Sequence, residues 1–519
     1  MSLPRSRPVR FVIALFGTIL LAACGAGPSS DPDTVTMAID TGPTTLDPRV
    51  GTDAASERLT QLMFSSLVKK NEQSGLEPDL ATSWETPDAT TYIFHLRNDV
   101  TFHDGRPLTS ADVVYTFRSV LDGSLSTPKT GIYEQMIAKV EAVDATTVVF
   151  TLKEPFGPFL WNLARGAIGV VPEGAGQDFR IRPIGSGPFR FVRYAQDEEV
   201  VLERNDHYYD RKPYIRTARF KIIPEAIVSA LELRKGSVDI AENVLPPDMI
   251  EALREDSRLH IVESPGTNYQ YIAFNLRDPL FRDLRVRQAF AYAIDREAIV
   301  KYLWRGQARL ASGVIPPNNW AYAPDVTTYP YDPERARALL AESGHADLSF
   351  TYRTSTDDAG RLLAAALEQQ FREVGVRMNI RSNEFATFFQ DVRQGNFQMY
   401  SLRWVGGNND PDIFNYIFHS KMTPPNGANR GFFENAEVDR LIEIARRYTD
   451  TARRRDAYAE IQRIVARNLP YVSLWYTNNV CVYNQRITGL KLYPAGDYDF
   501  LLDIRLDRDA AGRAKVHAN

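Results

Sequence analysis

The residues best suited to chemistry lie in one loop, Arg403-Trp404-Val405-Gly406-Gly407-Asn408-Asn409-Asp410-Pro411-Asp412. Glycines let a backbone approach a ligand closely. Asn408 and Asn409 donate and accept hydrogen bonds without carrying charge. Trp404 offers a flat apolar face for a side chain, a sugar or a ring. Such a set suits binding, although Asn-Asp-Pro is turn chemistry in any chain. Signals for catalysis are thin. Ser66-Leu67-Val68-Lys69 has S-x-x-K spacing and Lys129-Thr130-Gly131 is a K-T-G, two pieces of a serine acyl-transfer site, but no S-D-N lies between them. Ser66 is expected on an amphipathic helix with Leu59, Leu62 and Met63, and Lys129 in a turn after Pro128. No G-x-S-x-G, H-E-x-x-H or C-x-x-C occurs, and the seven histidines are scattered. Glu198 and Glu199 are neighbours on a strand-like run, so they face opposite sides, which is wrong for a glycosidase pair. The expectation is a binding protein and not an enzyme, with no cofactor and no metal.

The elements before the loop set its position. Residues 397–404 read as a strand. Residues 347–353 read as another, followed by Leu363, Leu367, Phe371 and Val374 at helical spacing. Gly375 is a fair C-cap, and 376–381 is the next strand. This β-α-β order predicts a mostly parallel sheet covered by helices, and ligands on such sheets bind beyond the carboxyl ends of strands. Nearer the N-terminus, Thr91, Ile93, His95 and Arg97 alternate with Tyr92, Phe94 and Leu96, as a half-buried strand requires. Asp104-Gly105 supplies a turn. Thr109 with Asp112 predicts a capping box, and Val113, Val114 and Phe117 begin the apolar face of a helix.

Arg5, Arg7 and Arg10 precede thirteen mostly apolar residues, 11–23. A membrane-spanning helix needs ~20, so this run reads as the core of a secretory signal. Leu21-Ala22-Ala23-Cys24 resembles a bacterial lipobox, whose cysteine is lipidated; each buried methylene of an acyl chain contributes ~0.8 kcal/mol of membrane affinity. Residues 24–33 are polar and rich in Gly, Pro and Ser, a tether reaching roughly 15–20 Å.

Without the three signal arginines the 61 basic residues become 58 against 65 acidic ones, a formal charge of −7. That is an acidic surface and not a nucleic-acid footprint. Arg453-Arg454-Arg455 is expected on a solvated helical face. With Cys24 lipidated no internal disulfide is possible, so the chain relies on its core. Cys481, in an apolar run, reads as a buried small hydrophobe. The length calls for more than one domain, yet no repeat or long linker divides the chain.

Four motifs in order go further. The segment from Pro78-Asp79-Leu80 through Phe117, the Pro183–Phe189 turn PIGSGPF, the run VLERNDHYYDRKPYI and the run DLRVRQAFAYAIDR at 283–296 resemble the extracytoplasmic solute-binding proteins, family 5, of ABC importers. The resemblance covers roughly residues 34–505. It implies an α/β fold, two-lobed and periplasmic-binding-protein-like (type II, cluster C), with an extra subdomain inserted in lobe one. Lobe one would be 34–75, 186–272 and 482–506, the inserted subdomain 76–185, lobe two 273–481, and 507–519 a flexible tail after the signal 1–23 and tether 24–33. The chain would cross between lobes near 268–275 and 475–483, on strands able to hinge.

The resemblance places Trp404, Gly406, Gly407, Asn408, Asn409 and Asp410 in a cleft, with Asn268, Tyr269 and Tyr271 as hinge and wall. Thr45, in an LDP-like segment, is a further contact, and Arg353 could meet a ligand carboxylate. Dipeptide-binding relatives carry GD-x-x-DP in the loop, where the first aspartate pairs with the peptide's ammonium; here that place is Gly407. The function implied is capture of an oligopeptide-like solute by hinge closure and delivery to membrane permease subunits. The receptor would be a lipid-anchored monomer in the periplasm or on the outer face of the membrane. An oligosaccharide or other neutral solute, and a sensory lipoprotein without transport, stay open as alternatives.

Overall fold

The computed structural model describes residues 33–71, 75–345, 348–405 and 410–507. Cys24, the signal and nearly all of the tether lie outside them, as do Gly406, Gly407, Asn408 and Asn409.

One mixed sheet of eleven strands runs through both halves of the molecule. Its order is Arg377–Asn383, Ser349–Ser355, Met399–Trp404, Leu259–Phe274, Tyr471–Asn484, Ile240–Glu242, Thr34–Ile39, Thr217–Ile222, Glu199–Arg204 and Phe189–Ala195, with Ala308–Leu310 paired beside Tyr471–Asn484. The expected β-α-β unit is present. Ser349–Ser355 pairs in parallel with Arg377–Asn383 and Met399–Trp404, and the helix Asp358–Glu373 between them buries Leu363, Leu367 and Phe371. Gly375, at φ 83°, reverses the chain after it, a conformation that favours glycine. The sheet as a whole is not mostly parallel, however. Parallel pairing is confined to this unit and to Thr34–Ile39 with its two neighbours, while the two longest strands pair antiparallel. These antiparallel pairs join segments far apart in the chain, so the local β-α-β spacing around residues 347–404 did not foretell the direction of the whole sheet.

Those longest strands, Leu259–Phe274 and Tyr471–Asn484, join the halves. Their ladder is broken between Ser264 and Asn268, opposite Thr477 and Asn479. Pro265 there has no N–H to give, and Gly266 packs so closely that a Cβ would sit 2.3 Å from the Thr477 carbonyl oxygen. Arg309 donates to the Gly266 carbonyl at 3.0 Å, and Asn479 donates to the carbonyls of Tyr493 and Pro494. Cys481 is fully buried in the second strand.

A separate four-stranded sheet, in the order Ala81–Glu85, Thr91–Leu96, Thr147–Leu152, Ile137–Asp144, carries its own core. Tyr92, Phe94 and Leu96 point inward, as their alternation predicts. The Thr109 N–H donates to Asp112 at 2.8 Å, closing the acidic half of the capping box at the start of helix Ser110–Leu121. That helix sets Phe117 edge-on to Phe150 at 4.9 Å. His103, from the turn, accepts from the Gly185 N–H at 3.2 Å through Nδ1 and meets the Gly187 carbonyl through Nε2 at 3.1 Å. Two of the four motifs thus join the small sheet to the large one. Burial pushes the His103 ring down to about 4, so it stays neutral there.

Ser66 is not helical. The helix Ala54–Met63 ends before it, the Ser66 N–H donates to Asp79, and Lys69 pairs with Asp210 at 2.6 Å. Both described ends lie in the same half. The Asp33 carbonyl accepts from Arg216 and Thr217, and the Asp507 N–H donates to Arg486 at 2.8 Å. Among the described residues no helix is long and apolar enough to cross a membrane.

Candidate functional site

Strand alternation separates the cleft residues into two sets. Tyr269 lies opposite Trp404, and Tyr271 opposite Leu402, so their side chains share one face. On it Tyr271 stacks on Tyr471 at 4.3 Å, on Tyr269 at 5.6 Å and on Trp404 at 6.3 Å. Tyr269 and Tyr271 are buried under helices, and the Tyr269 hydroxyl meets Ser473 Oγ at 2.6 Å. They form the support of the site. Trp404, half-buried at the end of its strand, is the member that reaches the rim, with Tyr416 edge-on at 6.2 Å.

The opposite face holds a cavity of about 350 Å³. Pro246, Pro247 and Asp248 line it from one half, Gln270 and Trp475 from the long strands, and Trp304, Tyr352, Ser401, Arg403 and Phe385 from the other half. It opens beyond the carboxyl ends of Ser349–Ser355 and Met399–Trp404, where the sheet rule places a ligand. Gln270 donates to Ser401 Oγ at 2.6 Å. The Trp304 and Trp475 rings lie 5.9 Å apart, and neither indole N–H has a partner among the described residues. Both N–H atoms are sealed from solvent in this conformation.

Three predicted contacts are engaged within the protein. Both carboxylate oxygens of Asp410 accept from Arg454, at 2.7 and 2.8 Å, with side chains 9 % and 4 % exposed. The Arg453-Arg454-Arg455 run is therefore not a solvated face throughout, since its middle member is buried by this pair. Burial raises the Asp410 carboxyl and the Arg454 charge opposes that rise. Arg353 donates to Asp391 at 2.6 Å. Thr45 is buried in its own loop, donating to Ser56 Oγ and accepting from the Asp47 N–H, both at 3.2 Å.

The small sheet's unit touches the far half beside Asp410. The Gly157 N–H donates to the Arg446 carbonyl at 2.7 Å, and Arg454 reaches the Gly157 carbonyl at 3.5 Å. Phe156 packs on the small sheet's core and lies 5.1 Å beneath the Arg446 guanidinium. A Cβ at Gly157 would fall 2.0 Å from the Tyr448 carbonyl oxygen. Arg446 meets Asp412 at 2.9 Å without hydrogen-bond alignment. Burial pushes the Asp412 carboxyl up to about 7 against the pull of Arg446.

Sequence reasoning did not find Trp304, Gln270 or Trp475 as cavity residues. Alternation alone pointed to Gln270, as the neighbour of two inward tyrosines. No local pattern signalled the other two.

Two α/β halves joined by two long strands, with a cavity at the joint, are the architecture of a two-lobed solute-binding protein. Residues 75–424 match the bacterial extracellular solute-binding proteins, family 5 (middle), and the chain belongs to that family. It is 30% identical over 455 residues to a dipeptide-binding protein of Escherichia coli K12, covering 82% of this chain and 85% of that one. Among solved structures it resembles the ABC transporter substrate-binding protein CtaP of Listeria monocytogenes, with TM-score 0.83, 27% identity and coverage of 91% and 99%. It also resembles the oligopeptide-binding protein AppA of Bacillus subtilis in complex with a nonapeptide, with TM-score 0.77, 27% identity and coverage of 92% and 99%.

Proposed function

We propose that this chain is the solute-capturing subunit of an ABC importer, and that its solute is peptide-like. The observation that carries the reading is the cavity lined from both halves and both long strands. An open form meets the solute, and rotation at the broken ladder around Gly266 brings Gly157 onto Arg446 and Arg454. Closure is driven only by the difference in affinity between the two forms. The peptide class is supported by the names of the relatives, a dipeptide-binding and an oligopeptide-binding protein. The exposed Phe385 ring and the half-buried Trp304 ring in the cavity wall favour an oligosaccharide as the second reading, since aromatic faces stack on sugars.

The same proposal extends to the rest of the chain. Cys24 carries lipid and holds a monomeric receptor by its tether to the outer face of a membrane. The permease docks on the closed form. Lobe one is 34–75, 186–272 and 482–506, the inserted subdomain 76–185, and lobe two 273–481.

Native mass spectrometry of the secreted chain lacking Cys24, purified gently, tests the ligand class. Adducts of peptide-like mass are expected, with loss of signal on partial unfolding. A single sugar-like mass would move the assignment to the second reading, and turnover of any bound species would overturn the receptor role.

A further inference from the structure

Four charged side chains line the cavity between the halves: Asp248, Asp357, Asp358 and Arg403. Two of them are answered within the protein. Asp248 meets Arg305 at 2.8 Å, and Asp358 meets Arg361. Asp357 and Arg403 take part in no ion pair among the described residues, and both are exposed.

The backbone sets each of them at the cavity. Arg403 lies opposite Gln270 in the ladder, so it shares the sheet face of Gln270 and Ser401, which is the cavity's face. Asp357 caps the helix Asp358–Glu373, two residues beyond the end of the adjacent strand Ser349–Ser355. Its carboxylate accepts from the Gly360 N–H at 2.8 Å and from the Ser355 hydroxyl. Burial raises this carboxyl, but those hydrogen bonds and the Arg403 charge outweigh it and hold the group below the usual aspartate value. A fixed negative and a fixed positive charge thus stand near each other at the carboxyl ends of neighbouring strands. The rest of the wall is largely apolar. Trp304 and Trp475 contribute rings, and Leu362 and Phe385, each 53 % exposed, contribute apolar surface from two helices. The volume of about 350 Å³ lies at the low end of the roughly 300–1,000 Å³ of ligand pockets.

We propose that Asp357 and Arg403 are the specificity-determining pair of this receptor, and that its solute is a short zwitterion: a di- or tripeptide with a free amine, a free carboxylate and an apolar side chain. Asp357 receives the ammonium, and Arg403 receives the carboxylate with its planar fork. A blocked end would leave one of these charges facing an uncharged group as the cleft closes, which is costly. The aromatic and aliphatic wall takes the side chain. The small volume requires both ends to lie inside it, which disfavours longer chains. This rests on the solute-receptor reading and narrows it.

The test is competitive capture from one pool of apolar di- to nonapeptides in four end-forms: free, N-acetylated, C-amidated and both. Bound species are read by native mass spectrometry of the wild-type protein and of Asp357→Asn, Arg403→Gln and Arg403→Lys, with far-UV circular dichroism as the folding check. Asparagine keeps a capping side chain at 357, so the helix start is preserved. Expected in the wild type is about 30-fold enrichment of free over acetylated and of free over amidated di- and tripeptides, with peptides of six or more residues at background. Asp357→Asn should lose the amine preference alone. Arg403→Gln should lose the carboxylate preference alone, and Arg403→Lys should keep part of it. A residue that only shaped the cavity would move both preferences together, and that result overturns the inference. Equal capture of free and blocked ends, undiminished preferences in the folded variants, or capture of long peptides as readily as short ones also overturns it, and each leaves the receptor reading standing. No capture of any form overturns both this inference and the peptide class.

Discussion

At the hinge the halves are joined by backbone. Two strands pass through together, their ladder broken over Pro265-Gly266-Thr267 and shifted again between Gln270 and Tyr271, and Asn479 donates to the carbonyls of Tyr493 and Pro494. Across the cleft the halves meet through charge. Gly157 lies against Arg446 and Arg454, which are held by the buried carboxylates of Asp412 and Asp410. The first contact is strand pairing, with Arg309 on the Gly266 carbonyl, and is shared by both cores. The second is small and rests on one glycine set beside two buried ion pairs. The lesson is that stability and closure are built at different places, and substitutions should separate them.

The largest effect is expected at Arg454. Arg454→Ala strands Asp410 as a buried unpaired charge and should cost about 3–5 kcal/mol in urea unfolding, most of it recovered by Asp410→Asn with Arg454→Met. A cost under about 1 kcal/mol would mean the pair is dispensable. Next is Gly266→Ala, which forces a Cβ onto the Thr477 carbonyl in the shared strands and should cost about 2 kcal/mol of global stability. Gly157→Ala meets an equally close carbonyl, but across the cleft. Its unfolding free energy should stay within ~0.5 kcal/mol of wild type while solute affinity, by calorimetry, falls about tenfold and small-angle scattering shows a more open form. Loss of stability at Gly157 equal to that at Gly266 would collapse the distinction.

The smallest expected effect is on pH. The ordinary aspartate value is 3.8, and burial holds Asp412 near 7 in the folded chain. Between those values the folded chain keeps a proton that the unfolded chain has released. The group's contribution is therefore most favourable below pH ~4 and is lost as pH rises to ~7. Asp412→Asn should flatten this slope by about 1–2 kcal/mol, discounted from the full shift because the side chain is 23 % exposed. Identical pH profiles for the two proteins would remove Asp412 from the account.

What was legible in the sequence was what a few consecutive residues decide. Tyr92, Phe94 and Leu96 announce an inward face because a strand alternates, and Thr109 with Asp112 announces a helix start. The β-α-β unit around Leu363, Leu367 and Phe371 followed from spacing, and so did the end of the strand at which Trp404 stands. Partners distant in the chain were not legible. Arg454 reads as one of three exposed arginines until Asp410, 44 residues away, is seen against it. Trp304 and Trp475 meet only because Ala308–Leu310 pairs beside the second long strand. Tyr269 and Tyr271 were singled out as aromatic, yet their neighbour Gln270 is the one that lines the cavity, because pairing decides which face of a strand is inside.

Both described ends of the chain belong to the half that holds Thr34–Ile39 and Thr217–Ile222. An anchor acting through residue 33 would therefore act on that half alone. Mechanically that half would be the stator, its orientation to the membrane set before any solute arrives. The other half, which carries most of the cavity, would be the rotor, joined through the two long strands and the Gly157 contact. A docking partner on the membrane would then see one fixed surface and one that moves with occupancy, so a loaded receptor would differ from an empty one by an angle, with no surface residue changed.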